Sequence, residues 1–202
     1  FIGICLWLAN GKINDNDLGL KEAFLLTNGA WALIGLFGAL PFYFSSLELS
    51  VVDSVFESTS GITTTGSTIL SDIEQASSGL LIWRALLQWL GGVGIIVMAI
   101  AVLPMLSVGG MQLFRTESFE TADKVIPRAT QLAGGIFAVY TGLTILWTAM
   151  LAGAGMPSFD ALAHAMTTLA TGGYSTKTFS GGACDSHLIE LSILGGMLGG
   201  SL

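Results

Sequence analysis

A chain of 202 residues that is 52% hydrophobic and only 10% charged, with a mean hydropathy of +0.74, does not describe a soluble core. Its natural solvent is the lipid bilayer. The formal net charge of −7 leaves no basic stripe to neutralise phosphates, which argues against a nucleic-acid partner.

The opening segment, residues 1–8, lacks a start methionine and a basic n-region, and reads as the last turns of an interrupted helix. After a polar loop, residues 23–44 carry no charge and are long enough to cross the hydrocarbon, with Pro41 near the far end. Residues 50–61 mix small, hydroxyl and acidic groups with Val52, Val55 and Phe56, which predicts a re-entrant helix shielded by protein, followed by an irregular loop over 62–67. Residues 78–106 predict a second crossing, in which Gly91, Gly92 and Gly94 permit close approach of another element and Arg84 and Gln88 stand near the mouth. Residues 109–128 interleave charges with Met111, Leu113, Phe114 and Phe119, as a partly amphipathic interfacial linker does. Residues 129–154 predict a third crossing, Pro157 and Ser158 open a second re-entrant helix running to Leu169, and 171–175 form its loop. The apolar run 188–202 is too short to span, so both ends read as those of a piece of a longer protein.

The organisation expected is therefore all-α and polytopic. Residues 1–22 are the end of a preceding helix plus a loop, 23–108 a first helix, short helix, loop and helix unit, 109–128 the linker, and 129–202 a second unit truncated in its last helix. Lys12, Lys21, Arg115, Lys124 and Arg128 place the first loop and the linker on the cytoplasmic side. Glu48, Asp53, Glu57, Asp72, Glu74, Asp160, Asp185 and Glu190 then fall on the opposite side, where an acidic mouth concentrates cations. Trp31, Trp83, Trp89, Trp147, Tyr43 and Tyr140 lie mostly towards helix ends, as interface anchors do. Cys5 and Cys184 show no ligand spacing and read as small apolar fillers.

The functional signal is a repeat. DSVFESTSGITTTG over 53–66 and DALAHAMTTLATGG over 160–173 both run thirteen residues from aspartate to glycine, so that Glu57 matches His164 and Thr64 matches Thr171, 107 positions on. A cation that leaves water must exchange its shell for oxygen ligands, and a loop with left-handed turns can aim consecutive carbonyls at one axis. Thr64, Thr65 and Gly66 supply one such set, and Thr171, Gly172 and Gly173 the other. Each set follows a short helix whose negative C-terminal end would face the ion. Neither loop carries a carboxylate, which favours a weakly held monovalent cation over calcium or magnesium. Asp53 and Asp160 stand where a carboxylate caps free amides, and Glu57 and His164 where a side chain can hydrogen-bond the loop or a neighbouring helix. A membrane-embedded enzyme is the competing class, but HExxH, GxSxG and paired intramembrane aspartates are missing, and a Ser60–His164 dyad would leave the repeat unexplained.

FESTSGITTTG over 56–66, QWLGGVGII over 88–96, LPMLSVGGMQL over 103–113 and HAMTTLATGGYST over 164–176 resemble the TrkH family of bacterial Trk potassium uptake proteins along nearly the whole chain. The resemblance implies a potassium-channel-like pore of four helix, pore-loop, helix repeats in one chain, of which this sequence would cover the first two. It implies filter residues at Thr64, Thr65 and Gly66. In the second loop the repeat spacing pairs Gly66 with Gly173, whereas sliding by one pairs it with Gly172, with Ala170 and Thr171 then lining the site. It also implies potassium as the transported ion with no cofactor in this chain, an inner-membrane location with the filter loops facing outwards, a homodimer, and a cytoplasmic nucleotide-binding regulator of the TrkA kind. The sodium-coupled Ktr-type subunit is the near alternative; TTTG at 63–66 and GGMQ at 109–112 lean towards Trk. The coupling ion, the selectivity and the gating ligand stay open.

Overall fold

The computed structural model describes residues 20–106, 125–178 and 187–201. The expectations placed on the preceding helix, on Cys5, Cys184 and Asp185, and on residues 109–124 of the linker lie outside these.

The described residues form helices and no strand: α1 (Leu20–Gly38), α2 (Leu40–Tyr43), α3 (Val51–Ile62), a 3-10 turn at Ile73–Gln75, α4 (Ser78–Leu106), α5 (Val125–Gly153), α6 (Ser158–Leu169) and α7 (His187–Ser201). Three stretches are long and apolar enough to cross a membrane, Phe24–Tyr43, Ser78–Met98 and Gln131–Gly153. At 1.5 Å per residue, the 29 residues of α4 and of α5 each extend about 43 Å, whereas the 12 residues of α3 and of α6 reach only about 18 Å. The chain is thus an all-α polytopic membrane protein in which long helices alternate with short ones that cannot span.

The first crossing differs from expectation in being broken at Ala39, which joins α1 to α2. Pro41 has no amide hydrogen to return to the preceding turn, and its ring crowds that turn, so the helix restarts with proline in its first turn. α5 begins at Val125 rather than at 129.

α3 packs on α1 and α4, while α6 packs on α4, α5 and α7. In both units a glycine of the following long helix lies against the last carbonyl of the short one: Gly91 on Ile62 O and Gly200 on Leu169 O. A Cβ at either glycine would collide with that oxygen, so these helices meet backbone to backbone. Phe42, Ile62, Leu80 and Leu87 fill the core of the first unit, and Leu151, Met156, Ala161 and Ile189 that of the second. Ala85, Ala163 and Met166 join the two across α4 and α6.

Each tryptophan among the described residues ties helix to helix, because its indole N–H donates to a neighbouring one. Trp83 donates to Gly38 O at 3.0 Å, Trp89 to Thr144 Oγ1 at 2.9 Å, Trp147 to Ser192 O at 2.8 Å and Trp31 to Met98 Sδ at 3.4 Å. A buried indole N–H needs such a partner, and here it pins helix against helix.

Gly91→Ala is expected to destabilise the purified protein in detergent by about 1–3 kcal/mol, as overpacking does. Gly79→Ala, whose new methyl would meet nothing within 4 Å, is expected to leave the unfolding temperature unchanged.

Candidate functional site

The two short helices end in the same way. Thr64 N–H donates to Gly61 O and Thr65 N–H to Ser60 O, both at 3.0 Å; Thr171 N–H donates to Thr168 O at 2.9 Å and Gly172 N–H to Thr167 O at 3.0 Å. This is the Schellman pattern, which satisfies the orphan carbonyls of a helix end through one left-handed residue. Glycine usually fills that place, yet here it is threonine in both copies, with φ of 55° at Thr64 and 51° at Thr171. A β-branched residue in this region is strained, by about 1–2 kcal/mol. Two residues further on, Gly66 and Gly173 return to positive φ, at 77° and 82°. The backbone therefore follows the spacing of 107, pairing Gly173 rather than Gly172 with Gly66.

The loops touch. A Cβ on Gly66 would strike Gly172 O, so Gly66 is required both by its φ and by the neighbouring strand. Below this contact lies the fully buried Gln88, whose Nε2 donates to Gly172 O at 3.0 Å and whose Oε1 accepts from Tyr174 N–H at 3.2 Å. Gly172 also has no room for a Cβ, because the Gln88 amide occupies that space.

One turn earlier on α4, Arg84 is 1% exposed and donates through Nε to Oε1 of the 0% exposed Glu57 at 2.8 Å. Its other nitrogens reach Ser175 O at 3.2 Å and Thr68 Oγ1 at 3.1 Å. Glu57 also accepts from Thr68 Oγ1 at 2.9 Å and from Ile69 N–H at 3.1 Å. The Arg84 guanidinium stacks over the Tyr174 ring at 4.1 Å, and the Tyr174 hydroxyl donates to Glu57 O at 2.8 Å. One buried ion pair thus ties the first short helix and both loops together. Glu57 does not belong to the acidic mouth in which the sequence reading placed it, because its carboxylate is spent on Arg84 and the strand after the first loop.

The second unit repeats the bond but not the charges. His164 Nε2 lies 3.1 Å from Ser175 Oγ, as Glu57 does from Thr68, each pair eleven residues apart. Ser60 donates instead to Ser67 O at 2.6 Å, so Ser60 and His164 form no dyad. Asp53 closes a reciprocal cap with Ser50: Ser50 Oγ accepts from Asp53 N–H at 3.1 Å and donates to its carboxylate at 2.7 Å. Asp160 holds the matching first-turn place on α6, where the N-cap Pro157 makes no side-chain cap bond. Asp160 therefore complements the helix dipole only. No group of three or more His, Cys, Asp or Glu side chains stands ready for a metal among the described residues.

Arg84, Gln88 and Tyr174 are the residues that reading the sequence did not assign to the site. The available signal was Arg84 within an apolar helix, where a charge is expensive unless paired.

The fold and site define a helical membrane protein with two adjoining units of short helix and left-handed loop. The sequence matches the TrkH family, described as cation transport protein, over residues 2–200, and the chain belongs to that family. It is 50% identical over 179 residues to the Trk system potassium uptake protein TrkI of Halomonas elongata, covering 88% of this chain and 36% of that protein. It is 43% identical over 195 residues to the Trk system potassium uptake protein TrkH of Salmonella typhimurium, covering 95% of this chain and 40% of that one. The crystal structure of the potassium transporter TrkH from Vibrio parahaemolyticus superposes with a TM-score of 0.82 at 34% identity, over 98% of this chain and 39% of that one. The chain therefore spans well under half the length of these relatives.

Arg84→Met or Glu57→Gln alone should destabilise the protein by about 3–5 kcal/mol, because each strands a buried charge. The double variant should lose less than the sum of the two, which a denaturant-unfolding cycle measures.

Proposed function

We propose that this chain supplies two of the filter loops of a potassium-selective pore in a Trk-type uptake protein. The observation that carries this reading is the shared backbone path, with positive φ at Thr64 and Gly66 and again at Thr171 and Gly173, in two loops that meet at Gly66 and Gly172. Such a path turns successive carbonyls towards one axis, and carbonyl oxygens without carboxylates suit a weakly held monovalent cation. The relatives' names, potassium uptake protein and potassium transporter, support potassium as that cation.

On this reading Thr64, Thr65, Gly66, Ala170, Thr171 and Gly173 line the ion path. Gly172 joins the loops, since its carbonyl accepts from Gln88. Residues 23–108 and 129–202 are two successive pore repeats. The loops face the outside of the bacterial inner membrane, where Glu48, Asp72 and Glu74 are exposed, and Lys21 marks the cytoplasmic end of α1. The whole protein pairs with a second copy and answers to a cytoplasmic nucleotide-binding regulator.

The test is potassium-limited growth of an uptake-deficient bacterium carrying the full-length parent gene. Gly66→Ser and Gly173→Ser, expressed at wild-type level, should fail at low potassium or admit sodium. Growth of both like wild type would reduce the loops to structural turns.

A further inference from the structure

The two units differ behind their loops. Gly91 and Gly200 make the same contact with the preceding short helix, so the offset between α4 and α7 is 109 residues. That offset puts Ile193 and Met197 where Arg84 and Gln88 stand in the first unit. The space left by these apolar side chains is a cavity of 200 Å³, lined by His164, Thr168, Gly173, Ser175, Ile193 and Met197 among others. At about 30 Å³ per water it has room for several; its wall is mostly apolar, and its polar side chains are those of His164, Thr167, Thr168, Tyr174 and Ser175.

The Nδ1 of His164, 2.8 Å from Asp160 O, must carry a hydrogen, because a carbonyl only accepts. Ser175 Oγ already accepts from Lys177 N–H at 3.0 Å, so its own hydrogen is free for His164 Nε2. A second proton on Nε2 would reverse that bond and turn the Ser175 hydroxyl hydrogen towards the cavity, where water can accept it.

No described carboxylate is placed to neutralise the imidazolium. α4 brings Arg84, whose charge is committed to Glu57 of α3 and whose Nη1 reaches the far side of Ser175. α5 brings only the phenol of Tyr140 within residues 131–153, and α7 brings His187 and Glu190, exposed and within 3.5 Å of each other. α6 itself brings Asp160, whose carboxylate makes no bond to the ring, and the strand beyond the loop brings the cation Lys177 and the phenol of Tyr174, which faces Glu57.

We propose that this cavity is a hydrated proton-binding site, and that protonation of His164 sets an uncompensated positive charge behind the second loop and lowers cation flux at acid pH. The proposal rests on the pore reading above.

The experiment uses the full-length parent protein in proteoliposomes at clamped voltage, with rubidium flux followed from about pH 8 to about pH 5, the range in which imidazoles change charge. Wild-type flux should fall at least about three-fold on acidification, as a nearby unit charge in a poorly screened site dictates. His164→Gln should flatten the profile, His187→Gln should keep it, and Ile193→Glu, whose carboxylate favours the imidazolium and compensates its charge, should move His164 protonation to higher pH and shrink the fall. An acid profile unchanged in His164→Gln overturns the proposal. Nitrogen-15 NMR of the imidazole, with the His164 signal assigned by its loss in His164→Gln, reads the site without flux: titration within this range supports proton binding, and its absence overturns it. If rubidium flux is untouched by Gly66→Ser, it is the pore reading that fails, and the imidazole titration still decides the cavity.

Discussion

The rest of the site depends on two charges kept out of water. A guanidinium and a carboxylate in a medium of low dielectric are each costly, and their attraction offsets that cost only when the remaining donors and acceptors are also met. Around Arg84 and Glu57 they are met by Thr68, Ile69, Ser175 and the face of Tyr174. A pair of this kind adds little net stability over apolar packing, but it accepts few alternative geometries. Because every partner belongs to a loop or to the helix feeding one, the tolerance of the ion pair becomes the tolerance of the loops. The pair sums to no net charge, so it fixes carbonyl positions without adding a field that would repel a cation.

The left-handed threonines follow the same logic. Thr64 and Thr171 hold a backbone conformation that glycine would adopt without strain. Such strain persists only where surroundings over-determine the chain. Here the determinants are two helix-end hydrogen bonds per loop, the Gly66–Gly172 contact, and Gln88 bonding the second loop from below. A glycine at Thr64 or Thr171 would relax the strain but let the loop sample more paths.

Much of this was legible in the sequence because it is local. The spacing of 107, the short helices and the limits of α4 follow from composition and periodicity, and the repeated threonine-to-glycine interval announced the paired turns. Proline at 41 gave a stop signal, though not the restart at Leu40. What stayed hidden is non-local. The bonds from Arg84 to Ser175 and from Gln88 to Gly172 join residues 91 and 84 positions apart, and no local pattern marks them. Glu57 was assigned to the mouth for the same reason, since a carboxylate beside hydroxyls reads as exposed until its arginine is found. The choice between Gly172 and Gly173 likewise needed backbone angles, because both residues are glycine.

The unequal partners behind the loops set two similarly built units apart. The first unit carries its own support, since Arg84 and Glu57 both lie within it. The second borrows: Gln88 and Arg84 bond Gly172, Tyr174 and Ser175 across the boundary, while the equivalent places on α7 hold Ile193 and Met197, which can donate nothing. The second loop therefore takes its shape from α4, and α6 must dock on α4 before that shape is complete. Quasi-symmetric carbonyls are thus reached through asymmetric scaffolding, which leaves one unit with a buried ion pair behind its loop and the other with a cavity and a histidine ring.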